Sequence, residues 1–312
     1  MEHSQLRDDL GDVAFTTPTP FSEDGSEVRH DEVRRTVEHL TDAGARLLIP
    51  CGNTGEYYSL TNEERAAVVR STVEAADGDA TVVGGVGGST KTATRLLAEY
   101  EDAGADGAMV MYPVHTYMHH AGISEYYRRL IEATDLGIVL YKRGPELTRE
   151  HLAELAELDN VVGVKYAVDD IGAFSKAVAS IDADVVWSNG IAERFAPTFA
   201  LEGAEGFTTG IGNFLPEEAR SLMEAIRSEQ WDRARAIRDV LRPYEDLREE
   251  CGEGSTIAAA NNVPAVKYGM ELAGLYGGPV REPLVELSDA DKRRAEVYYE
   301  RIKNAGGQDG RE

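Results

Sequence analysis

The sequence predicts an α/β protein: a (β/α)8 TIM barrel over residues 1–215, continued by a C-terminal helical extension over 216–312 within the same unit. Three observations predict it. Eight short apolar, β-branched runs recur with helix-like segments between them, the pattern of parallel βαβ units rather than hairpins. Their starts lie 21 to 36 residues apart, room each time for a strand, a loop and a crossover helix. The length of 312 residues suits an α/β barrel folded as one unit.

In chain order the runs are DVAFTT from Asp12, ARLLIPCG from Ala45, TVVGGVG from Thr81, DGAMVMYP from Asp106, GIVLYKR from Gly137, VVGVKYA from Val161, ADVVWSNG from Ala183 and AEGFTTG from Ala204. Most are continuously apolar, as strands buried on both faces should be. Thr61-Asn-Glu-Glu64 has the spacing of a capping box, and DAGA before the second and fourth runs has the form of a helix end. From Pro216 to about Lys303 the pattern is helical only, with PEEARSLMEAI and WDRARAIRDVL both amphipathic. The tail NAGGQDGRE reads as frayed.

Acidic residues number 56 against 32 basic ones, a formal charge of −24. Such a surface repels phosphate backbones and anionic membranes, which argues against nucleic-acid and membrane partners. Excess carboxylates keep a protein dissolved in concentrated salt, so a salt-loving cytoplasm is the expected setting. Two cysteines, Cys51 and Cys251, give neither a disulfide framework nor a metal spacing. The opening MEHSQLRDDLGD has no apolar run, and nothing approaches the roughly 18 apolar residues of a membrane helix, so neither export nor embedding is expected.

Catalytic groups in this architecture come from the C-terminal ends of the strands and the loops beyond them. Lys165 ends the sixth run. Apolar barrel wall disfavours its charged form, leaving a neutral fraction able to attack a ketone. A lysine there is otherwise simply solvated. Tyr141 leaves the fifth run at matching height, either as packing or as a phenol that shuttles protons beside an imine. Gly52-Asn53-Thr54-Gly55-Glu56 is a tight loop whose backbone amides and Thr54 hydroxyl suit a substrate carboxylate. The plainer alternative is a βα turn with Glu56 in the first helical turn. Gly84-Gly-Val-Gly-Gly88 lacks the lysine-serine ending of a phosphate loop and reads as a strand-to-helix turn. His115, His119 and His120 have no carboxylate at fixed spacing, so no metal is expected, and His115 is placed facing the pocket.

Together these motifs resemble the dihydrodipicolinate synthase and N-acetylneuraminate lyase superfamily of Schiff-base barrels. TPTPF, GNTGE followed by SLTNEER, the tyrosine ending strand five and the GVK of strand six occur in family order between about Val13 and Leu284. The resemblance implies an imine on Lys165, proton transfer by Tyr141, and a 2-oxo acid carboxylate held by Thr54 and its loop. His115 at the loop position of a synthase tyrosine, and Arg143 too early for the synthase arginine, depart from the lysine-pathway enzyme. YKR, GFTTGIGNFLP and GPVREPLVELS are similar to 5-dehydro-4-deoxyglucarate dehydratase and related dehydratases of 2-oxo-3-deoxy sugar acids, while Lys142 and YAVDD depart from them. By that likeness Thr208 and Thr209 contact substrate, Arg143 contributes to binding, and no cofactor is needed because the imine is the electron sink. An aldolase releasing pyruvate from 2-oxo-3-deoxygluconate uses the same imine, and a non-catalytic 2-oxo acid binding protein is the rival of another class. The superfamily resemblance also implies a homotetramer.

Overall fold

The computed structural model describes residues 3–306. Eight parallel strands close into a barrel in sequence order: β1 Val13–Phe15, β2 Leu47–Leu48, β3 Thr81–Val86, β4 Gly107–Val110, β5 Gly137–Lys142, β6 Val161–Tyr166, β7 Val186–Asn189 and β8 Gly206–Thr209. Each lies within one of the eight apolar runs. β2 is short because its run ends in Pro50, which has no N–H for the ladder, and in Cys51, which takes a left-handed conformation at φ 58°.

Between the strands lie the crossover helices. The helix Asn62–Ala76 begins with the expected capping box: the Thr61 side chain accepts from the Glu64 amide and the Glu64 carboxylate accepts from the Thr61 amide. Both DAGA segments end helices at glycines of positive φ, Gly44 and Gly104. Gly84 and Gly85 belong to β3 rather than to a turn. A Cβ at Gly85 would strike the Cys51 backbone and one at Gly84 the Tyr100 ring, so only glycine lets β3 close on its neighbours here.

Residues 4–10 form a helix, Ser4–Leu10, that the sequence pattern did not announce. It fills the N-terminal mouth of the barrel. Leu6 and Leu10 are fully buried, and glycines make room for them: a Cβ at Gly107 or Gly137 would meet Leu6, and one at Gly163 would meet Leu10.

The helix Pro216–Arg227 shares a buried cluster with β1 and with the helix His30–Asp42 through Ala219, Leu222 and Met223, so it completes the ring of outer helices. The true extension therefore starts later than residue 216, at the helix Trp231–Glu249, and continues through Asn262–Leu272 and Asp289–Gly306. These three pack on one another and on Ile211, Phe214 and Leu215 beyond β8, around Leu241, Tyr244, Val266 and Ile302. The extension is thereby fixed beside the C-terminal mouth. The tail beyond residue 306, expected to fray, lies outside the described residues, within which no helix is long and apolar enough to cross a membrane.

Candidate active site

A cavity of about 600 Å³ opens at the C-terminal mouth, lined by strand ends β5 to β8, the loop after β2 and the extension. Parallel register places Tyr141 beside Lys165 and Lys165 beside Ser188. The stem of Lys165 runs against Gly190, where a Cβ would come within 3.0 Å of its Cγ. Lys165 is 5% exposed, and its Nζ stands 4.6 Å from the centre of the Tyr141 ring. Burial, then the nearby guanidiniums of Arg143 and Arg248, pull its pKa down to about 7. About half of it is therefore neutral at neutral pH, against a negligible fraction for a solvated lysine.

The Tyr141 hydroxyl accepts from Asn53 Nδ2 at 3.2 Å and from Arg143 Nη1 at 3.3 Å, while the Tyr112 and Tyr141 rings meet edge-on with their centres 5.8 Å apart. Two donors fix the phenol oxygen in the cavity, where it can pass a proton to and from a bound substrate.

In the loop after β2, the Glu56 and Tyr57 amides are bonded to the carbonyls of Asn53 and Gly52. The amides of Asn53, Thr54 and Gly55 have no acceptor among the described residues, which leaves consecutive donors at the cavity edge. The Thr16 hydroxyl lies 2.6 Å from the Thr209 carbonyl and 3.1 Å from the Thr54 hydroxyl. The carbonyl can only accept, so the single Thr16 proton goes there and Thr54 donates to Thr16. Gly52 and Gly55 shape the loop from behind: a Cβ at Gly55 would stand 2.8 Å from Cys51 N and 2.9 Å from Thr17 O. Glu56 is buried in a left-handed conformation and pairs with Lys267 at 2.5 Å, so it locks the loop to the extension instead of starting a helix.

Of the residues predicted from sequence, Lys165, Tyr141, Asn53, Thr54, Arg143, Thr208 and Thr209 line this one cavity. The Thr209 hydroxyl is already engaged, donating to Glu193 and accepting from the Gly212 amide, so it fastens the floor. His115 is corrected. It is exposed outside the cavity, with Nδ1 accepting from the Tyr117 amide at 3.0 Å, because its loop turns outward after Tyr112, and Tyr112 takes the place beside Tyr141. Lys142 also turns away, its ammonium donating to the Gly144 carbonyl.

Residues 10–301 match the Dihydrodipicolinate synthetase family. The chain belongs to this family. Among its relatives, a probable 5-dehydro-4-deoxyglucarate dehydratase of Methylobacterium radiotolerans is 31% identical, the match covering 91% of this chain and 92% of that one. A 4-hydroxy-tetrahydrodipicolinate synthase of Methanoculleus marisnigri is 33% identical over 87% of this chain and 92% of its own. The crystal structure of dihydrodipicolinate synthase from Bacillus clausii superposes with a TM-score of 0.90 at 37% identity, covering 96% of this chain and 99% of that one. Dehydratases and synthases thus stand at similar distances, and the family alone does not choose between them.

The sequence reading missed the wall contributed by the extension. Arg248 is buried, its Nη1 2.6 Å from Glu245 Oε1 and its Nη2 3.0 Å from Asn262 Oδ1, and Arg248, Glu245, Glu249 and Asn262 all line the cavity. A signal was present, since Leu241, Glu245 and Arg248 fall at i, i+4 and i+7, putting two charges on the apolar face of an amphipathic helix. Behind them Glu193, fully buried, has its pKa pushed up by burial and then by the neighbouring Glu245.

Proposed function

We propose that the protein is a Schiff-base hydro-lyase acting on a 2-oxo-3-deoxy sugar acid. The observation that supports this most is Lys165, buried, unpaired with any carboxylate among the described residues, pulled to about 7 and set against Tyr141. The neutral amine adds to the C2 ketone, and loss of water from the carbinolamine gives a protonated imine. The substrate carboxylate rests on the amides of Asn53, Thr54 and Gly55, beside the Thr54 hydroxyl that Thr16 holds in place. The imine takes up the electron pair released when the C3 proton leaves, forming an enamine. Electrons then return from the enamine to expel the C4 hydroxyl, which leaves as water after taking a proton from Tyr141. Hydrolysis of the imine regenerates Lys165 and frees a product on the way to 2-oxoglutarate semialdehyde. A hexarate substrate would also lose its distal carboxylate as carbon dioxide. No cofactor takes part in this scheme, because the imine accepts the electrons.

An aldolase uses the same imine and breaks the C3–C4 bond instead. Product analysis by NMR in high salt, with a 2-oxo-3-deoxypentonate and 5-dehydro-4-deoxyglucarate as substrates, separates the two. A semialdehyde without pyruvate supports the dehydratase, whereas pyruvate with an aldehyde overturns it in favour of the aldolase. Trapping with borohydride should add the reduced 2-oxo acid to Lys165 alone, and failure to trap any 2-oxo acid would leave a non-catalytic binding protein. The acid excess fits work in the concentrated salt of a cytoplasm. A homotetramer is supported by exposed Val114 and Tyr117, apolar surface that a second copy would cover, and light scattering gives the subunit number.

A further inference from the structure

The electrostatics of the cavity bear on which 2-oxo acid it takes. Two guanidiniums line it, Arg143 and Arg248, and two carboxylates from the same helix, Glu245 and Glu249, line it with them. Glu245 is bonded directly to Arg248, and Glu249 acts through space on both arginines. The third carboxylate of the inner wall, Glu56, is matched by Lys267. Asp169 adds a further negative charge at the rim, and Lys142, the remaining nearby cation, faces away. With Lys165 neutral the empty cavity has no positive excess. Imine formation adds one positive charge, which one substrate carboxylate balances. A second carboxylate would enter uncompensated, beside Glu245 and Glu249.

Direction supports the same outcome. The imine carbon is trigonal, so a substrate whose carboxylate lies on the loop after β2 sends the rest of its chain the other way. The cavity that receives it is lined by Gly190 and Ile191 after β7 and by Arg248, Glu245 and Asn262 of the extension. A carboxylate and a side-chain carbonyl accept from hydroxyls, and a guanidinium donates to them. We infer that the substrate is a monocarboxylate whose distal end is uncharged and bears hydroxyls, and that the Arg248–Glu245 pair with Asn262 receives that end. This rests on the imine chemistry proposed above and selects, within it, a pentonate-like compound over a dicarboxylate.

Borohydride trapping tests it independently of the later steps. The probes are 2-oxoglutarate and 5-hydroxy-2-oxopentanoate, equal in chain length and differing at C5 in charge. The hydroxyl compound should half-saturate trapping at a concentration roughly tenfold or more lower. Glu245→Gln, which leaves Arg248 uncompensated, should narrow or reverse that ratio, and the exposed Glu249→Gln should narrow it without risk to the core. Equal trapping, preference for 2-oxoglutarate, or a ratio indifferent to both substitutions overturns the inference while the imine chemistry stands. Trapping of neither probe overturns both.

Discussion

The two mouths of the barrel are built on opposite principles. At the N-terminal mouth, Leu6 and Leu10 close the opening, and glycines at the strand starts give up their side chains to admit them. At the C-terminal mouth the strands carry Tyr141, Lys165, Asn189 and Thr209 at or next to their ends, polar groups that are nonetheless buried. One end is packed to exclude water and gains stability; the other keeps about 600 Å³ open and holds charged groups away from their ordinary pKa values. Substitutions at one end should leave the property of the other untouched.

The largest break is at Lys165. Lys165→Ala should abolish turnover and the borohydride adduct together, with thermal stability equal to or above the parent, because a buried amine without a counter-ion is a burden to the fold. A melting scan beside a mass spectrum of the trapped protein checks both halves. Next is Tyr141→Phe, which keeps the ring under Lys165 but removes the proton carrier. It should lower kcat by roughly 10²- to 10⁴-fold while trapping by borohydride persists. If kcat falls less than tenfold, the proton passes elsewhere. At the opposite mouth Leu10→Ala should cost about 2–5 kcal/mol of stability, read from a denaturant midpoint, with kcat per folded molecule unchanged. A fall in kcat there would show that the plug shapes the site.

Sequence made the upper mouth more legible than the lower. Apolar runs of the right spacing located all eight strands, and one lysine at a strand end is conspicuous because the wall around it is apolar. The GNTGE loop was legible for a similar reason, since its glycines announce tight backbone. The plug was invisible because Leu6 and Leu10 are two apolar residues in an acidic opening, and what buries them is the set of glycines far along the chain. Arg248 and Glu245 were hidden by distance: nothing local says that a helix after residue 230 reaches back over β8. His115 was misplaced because the direction of a loop is set by its packing, and Tyr112 competes for the same space with a larger apolar surface. The ring boundary slipped for a simpler cause, as the eighth outer helix and the extension share one helical pattern.

The smallest expected effect is also the finest test of the difference between the mouths. Only the neutral amine of Lys165 attacks a ketone, and its pKa stands at about 7, so kcat/KM should rise with pH through 7 and then level. After burial itself, Arg143 is the largest cause of that depression. In Arg143→Met the ammonium form of Lys165 loses a repelling neighbour, its pKa rises, and the acid limb of kcat/KM must move to higher pH. Because Arg143 also donates to Tyr141, the plateau will fall too, but a lost hydrogen bond lowers the height of the curve and leaves the limb where it was. Leu10→Ala supplies the contrast, with an unchanged limb on a less stable protein. A limb that stays in place in Arg143→Met would mean that burial alone sets the lysine, and the charges at the upper mouth would then serve the substrate and not the nucleophile.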